Sequence, residues 1–212
     1  MPENRMSAAV AHNHRDVLHR VLRLQVLTVV WMTAEAVIAL SAAWAARSPA
    51  LLAFGGDSTV ELLSAIVVLW RFRSKADGAQ AERMATRIAA ALLFVVAGSV
   101  VTASALALMG YREPEPSPVG ILLLTLAGVG MPWLARQKRK LATQVGSASL
   151  RADAAESALC GYISWIALAG LLANAVVRRS WADSVAALVL VPLILGEGWR
   201  AVRASQIGCQ SC

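Results

Sequence analysis

Pro49-Ala-Leu-Leu-Ala-Phe-Gly-Gly-Asp57-Ser-Thr-Val-Glu61-Leu-Leu-Ser-Ala-Ile-Val-Val-Leu-Trp70 decides how the chain must be read. It runs for 22 largely apolar residues, and a helix needs roughly 20 to cross a hydrocarbon core about 30 Å thick. Its apolar residues are continuous and do not alternate, so a barrel strand is excluded and a membrane helix is predicted. Yet the run carries two carboxylates. Asp57 and Glu61 are i, i+4, so they share one helix face with Cβ atoms about 5–6 Å apart. A carboxylate at mid-membrane costs roughly 3 kcal/mol on insertion scales, so such groups usually face a polar interior and do a job.

Working outward, five more apolar stretches complete a set of six: Leu24–Ala46, Pro49–Trp70, Ile88–Met109, Val119–Ala135, Ala154–Val177 and Trp181–Trp199. The expected fold is an all-α membrane protein of six transmembrane helices. Residues 1–23 form a cytoplasmic N-terminal segment, 24–199 the membrane domain and 200–212 a short cytoplasmic tail. The first long run exceeds a signal h-region and is read as a retained helix. Composition agrees: 212 residues are 58% hydrophobic and 16% charged, where a soluble domain has roughly 45–50% apolar and about 25% charged residues. Mean hydropathy is +0.59. Disorder, a coiled coil and a soluble single-core enzyme are excluded, and three cysteines, two of them in the last four positions, make no disulfide framework.

The net charge of +7 follows the topology. Sixteen of 20 basic residues fall before the first span, between spans 2 and 3, between spans 4 and 5, or after span 6. Arg47, Arg112, Arg178 and Arg179 are on the other side. The positive-inside rule places both termini and the two basic loops in the cytoplasm of a cell (inner) membrane. The surplus of cations is matched to anionic membrane lipid and not to nucleic acid.

Six acids lie within or at the edge of spans (Glu35, Asp57, Glu61, Asp153, Glu156, Asp183), and Glu197 is near the end of the sixth. No basic residue is expected at matching depth. Asp153, Asp183 and Glu197 also suit the headgroup zone; Asp57 and Glu61 suit it poorly. In the fifth span, Arg151-Ala-Asp153-Ala-Ala-Glu156-Ser-Ala-Leu-Cys160 repeats the spacing, with Glu156 and Cys160 at i, i+4 and Asp153 one turn earlier. Two helices each presenting two donors make four, the number a tetrahedral divalent ion takes, and carboxylate oxygen and thiolate both ligate zinc. Asp57, Glu61, Glu156 and Cys160 are therefore the expected metal ligands. Asp153, Glu35, Asp183 and the terminal Cys209-x-x-Cys212 are secondary candidates. His12, His14, His19 and Asp16 could collect metal loosely or line up with headgroups. Cys160 also fits as a small buried hydrophobe.

At these residues the chain resembles the cation diffusion facilitator family of divalent metal/proton antiporters. Ala53-Phe-Gly-Gly-Asp57-Ser-Thr-Val-Glu61-Leu-Leu-Ser64 is similar to the family's helix 2 motif, Asp/His-x-x-x-Asp. Leu150-Arg-Ala-Asp153-Ala-Ala-Glu156-x-x-x-Cys160 is similar to its helix 5 motif, His-x-x-x-Asp. Glu35 and Trp181-Ala-Asp183 match family habits, and the likeness covers roughly Val17 to Arg203. It implies a six-helix bundle with both ends cytoplasmic, transport in exchange for protons and a homodimer. The family's C-terminal cytoplasmic domain is expected to be missing, as in a short branch. Three carboxylates and a thiol replace the usual Asp and His set: sulfur suits zinc or cadmium, and oxygen admits manganese, cobalt or iron. Zn2+ is the expected substrate. Metal binding needs deprotonated ligands and so releases protons, which couples metal to proton movement across alternating access. The alternatives are a non-transporting metal sensor or partner subunit of another transporter, and, third, a membrane hydrolase. The last lacks a nucleophile–histidine pair in its spans, so no enzyme is expected.

Overall fold

The computed structural model describes residues 2–73, 79–111, 113–177 and 181–207. Among them run six helices: α1 (Pro2–Ala46), α2 (Pro49–Arg73), α3 (Ala79–Leu108), α4 (Pro118–Val145), α5 (Ala148–Val177) and α6 (Trp181–Ile207). Each contains a stretch long and apolar enough to cross a membrane, and the protein is a multi-pass membrane bundle. α4 packs most extensively on α5, α1 on α2 and α3 on α6, while α2 touches α1, α3, α5 and α6. The two helices that carry the acid pairs are thus the most buried of the six.

Helices outrun the apolar stretches that announced them. Arg136, Lys138, Arg139 and Lys140, expected in a loop, lie on α4, and Arg151 lies in the second turn of α5. Leaving the hydrocarbon core ends the need for apolar side chains but not the i→i−4 ladder. Lys and Arg are good helix formers, so the helix continues. α4 stops at Gly146, whose φ of 65° is left-handed and whose N–H bonds the Ala142 carbonyl. Ser147 then caps α5, accepting from the Leu150 N–H at 3.3 Å.

Pro132 lies inside α4, and the consequence is visible at its neighbours. Proline has no N–H for the carbonyl four residues back. That carbonyl belongs to Gly128, and the Trp165 indole N–H donates to it from α5 at 3.1 Å. The helices can approach here because residue 161 is glycine: a Cβ on it would sit 2.9 Å from Pro132 Cδ.

At the opposite end of the bundle, Ser48 caps α2 by accepting from the Leu51 N–H at 3.1 Å, with Pro49 as the first helical residue. Ser48 Oγ also donates to Asp183 Oδ1 at 2.9 Å, and the Ala50 N–H meets Oδ2 at 3.4 Å. Asp183 is fully buried and ties the α1–α2 turn to the start of α6.

Candidate metal centre

A cavity of about 440 Å³ runs from Asp57 at the middle of α2 toward the end of the bundle where α2 finishes and α5 begins. Four acids line it: Asp57 and Glu61 from α2, Glu156 from α5 and Glu197 from α6. The i, i+4 spacing explains the α2 pair: both side chains are on the face turned to α5 and α6. Asp57 and Glu197 lie within hydrogen-bonding reach of each other, as do Glu156 and Ser64. Glu61 Oε2 and Glu156 Oε2 are buried without a hydrogen-bond partner. A buried polar oxygen left unmet is costly, and such groups call for an explanation, a bound ion among them.

Cys160 does not line the cavity. It is fully buried in the apolar core, next to Glu61, with Sγ 3.7 Å from Glu35 Oε1. Glu35, nearly as buried, accepts from Ser58 Oγ at 2.9 Å on the same oxygen, and its Oε2 is unmet. The structure therefore collects Asp57, Glu61, Glu156, Cys160 and Glu35 into one neighbourhood at the α2–α5 seam. It does not gather them tightly: among the described residues no three His, Cys, Asp or Glu side chains are placed to hold one ion together.

Asp153, by contrast, is occupied. The expectation that no cation lies at its depth is wrong: Lys138 Nζ donates to Asp153 Oδ1 at 2.9 Å, with both side chains fully buried. Gln25 Nε2 holds the other oxygen, Oδ2, at 3.0 Å. Lys138 Nζ also donates to Ser157 Oγ at 2.7 Å, and Ser157 donates to Glu61 Oε1 at 2.6 Å. The physical reason is the length of α4, which carries Lys138 down a face packed on α5 where a loop would have left it in water. Gln25, Lys138 and Ser157 were all missed at the sequence level, and Glu197 was left at the margin. Glu197 is 17% exposed and faces Arg200 at 3.9 Å. Cys209 and Cys212, and the side chains of His12, His14 and Asp16, lie outside the described residues; His19 is exposed.

Compared with known families, the chain matches the cation efflux transmembrane domain over residues 25–206. Among curated proteins nothing matches. The matched region begins at Gln25, in the Asp153 network, and ends at Gln206 on α6. It spans the whole acid-lined bundle, and the chain belongs to the cation efflux family, whose members transport divalent metal cations.

Proposed function

We propose that this protein exports a divalent metal ion, zinc foremost, from the cytoplasm in exchange for protons. The observation that carries the reading is the cavity in which two carboxylates, Glu61 and Glu156, keep buried oxygens without partners. Asp57, Glu61 and Glu156 would hold the ion, and Cys160 would supply the fourth donor. Because the four are near but not gathered, binding has to draw α2 and α5 together. That movement suits alternating access, in which the site closes from one side as it opens to the other. The cavity leads to the end of the bundle where the basic residues concentrate, the side the positive-inside rule puts in the cytoplasm, so metal would enter from there. Ligands must lose protons to take the metal and recover them when it leaves, which links the two flows. The same resemblance supports a homodimer in the cell membrane.

The test is uptake of zinc into proteoliposomes under an imposed proton gradient. Metal should accumulate against its gradient only when protons run the other way. Zinc movement indifferent to the proton gradient would refute the exchange, and no movement of zinc, cadmium, cobalt, iron or manganese would refute transport.

A further inference from the structure

Lys138 and Asp153 stand beside the proposed ligands without belonging to them, and they act on Glu61 through a single hydroxyl. An ammonium has only donors, so when Lys138 Nζ approaches Ser157 Oγ at 2.7 Å, the serine receives that bond on a lone pair. Its own proton has to go elsewhere. Two acceptors are in range: Glu61 Oε1 at 2.6 Å and the Asp153 backbone carbonyl at 3.1 Å. The shorter contact has the length of a charge-assisted O–H to carboxylate bond. Lys138 cannot release the serine by following Asp153 elsewhere, because Gln25 fixes the far oxygen of that carboxylate at 3.0 Å. The result is an asymmetric Glu61, with Oε1 committed to Ser157 and Oε2 buried and unmet.

That asymmetry matters for what the site accepts. A tetrahedral zinc ion takes one oxygen per carboxylate. Larger ions with six or more oxygens accept both oxygens of one carboxylate and gain from doing so. We propose that Lys138 and Ser157 are positioning residues that confine Glu61 to one-oxygen coordination of the transported metal, which favours small tetrahedral ions over larger ones. The inference rests on Glu61 being a ligand, as set out above.

Ser157→Ala frees Glu61 Oε1 at little cost in volume, Ser157→Thr keeps the hydroxyl, and Lys138→Met combined with Asp153→Asn removes the lysine without stranding its partner's charge. Competition uptake of zinc against manganese and cadmium should shift by about tenfold toward the larger ions in Ser157→Ala, about 1.4 kcal/mol. The double variant should shift the same way, because the serine hydroxyl can then turn to the backbone carbonyl, and Ser157→Thr should keep the wild-type ranking. Infrared spectra of the purified protein with and without manganese give a second readout, since the splitting of the carboxylate stretches separates one-oxygen from two-oxygen binding. Ser157→Ala should gain a two-oxygen signature absent from wild type. An unchanged ranking, or an equal loss for every metal with unchanged carboxylate bands, would overturn the inference. If wild-type vesicles move no metal while the infrared difference appears, transport is refuted and the coordination inference stands. If manganese leaves the wild-type and Ser157→Ala bands alike untouched, the inference falls as well.

Discussion

Lys138→Met is the substitution whose cost follows most directly from the structure. Both side chains of the Lys138–Asp153 pair are fully buried, 2.9 Å apart, at the seam of the two helices that pack most extensively. Methionine matches the length of the lysine stem but offers no donor. Asp153 would keep one bond, from Gln25, and lose its counter-charge. Breaking a buried pair from one side costs about 3–5 kcal/mol, because the survivor is left uncompensated, whereas removing both charges can be close to neutral. Lys138→Met alone should therefore destabilise strongly, Asp153→Asn alone comparably, and the double variant by less than either, so the coupling energy should exceed about 3 kcal/mol, the cost of one single variant. Thermal unfolding in detergent, followed by tryptophan fluorescence, is suited to this: Trp165 spans the same seam through its bond to Gly128. Single-variant costs that add, or a Lys138→Met change within about 1 kcal/mol of wild type, would refute the argument that the pair is a closed electrostatic unit.

Four further outcomes are expected. Asp57→Ala and Glu156→Ala should each lower zinc transport more than about a hundredfold, beyond the 10–100-fold typical of groups that only support a ligand, while the protein still inserts; wild-type transport in either would break the four-donor site. Cys160→Asp should transport but move preference toward manganese, cobalt or iron, and Cys160→Ser should weaken zinc and cadmium together; an unchanged metal ranking in both returns Cys160 to a packing role. Gly170→Leu should lower the unfolding temperature, since even a Cβ there would meet the Ala186 Cβ at 2.5 Å and overpacking costs about 1–3 kcal/mol; an unaltered melt would contradict the close α5–α6 contact. Cysteines placed at Gln144 and at Glu113, both exposed, should label from opposite sides of the membrane with Gln144 cytoplasmic, and same-side labelling would overturn the orientation.

The six spans were legible because each apolar run is long enough to admit one interpretation in lipid. Helix ends were not, and that hid the chemistry of α4. Reading the span as closed at Ala135 made Lys138 a loop charge. Extending the helical period would have placed it correctly: Met131, Leu134, Ala135, Lys138 and Ala142 are all buried on one stripe of α4. A lysine in register with a buried stripe is a sequence-level signal for a partner in the interior. Which partner was beyond reach, since Asp153 lies on another helix 15 positions away and Gln25 on a third, 128 positions from Asp153.

Spacing also could not separate the seven acids of the spans from one another, because every one of them is a carboxylate in an apolar run. Hydrogen bonding separates five of them. Asp153 has both oxygens met, by Lys138 and Gln25, and Asp183 has both met, by Ser48 and the Ala50 amide, so these two carboxylates hold helices together. Glu35, Glu61 and Glu156 each retain one buried oxygen with nothing to bond. A buried carboxylate oxygen left unmet is costly and calls for a partner. Glu61 on α2 and Glu156 on α5 line one cavity, and Glu35 on α1 approaches the neighbouring Cys160; under the proposed transport, a passing cation is the partner that would meet these oxygens. Under the proposed transport, an unmet oxygen makes Glu35, which the four-donor set leaves out, a further candidate beside Glu61 and Glu156, whereas Asp57 owes its place in that set to its position in the cavity.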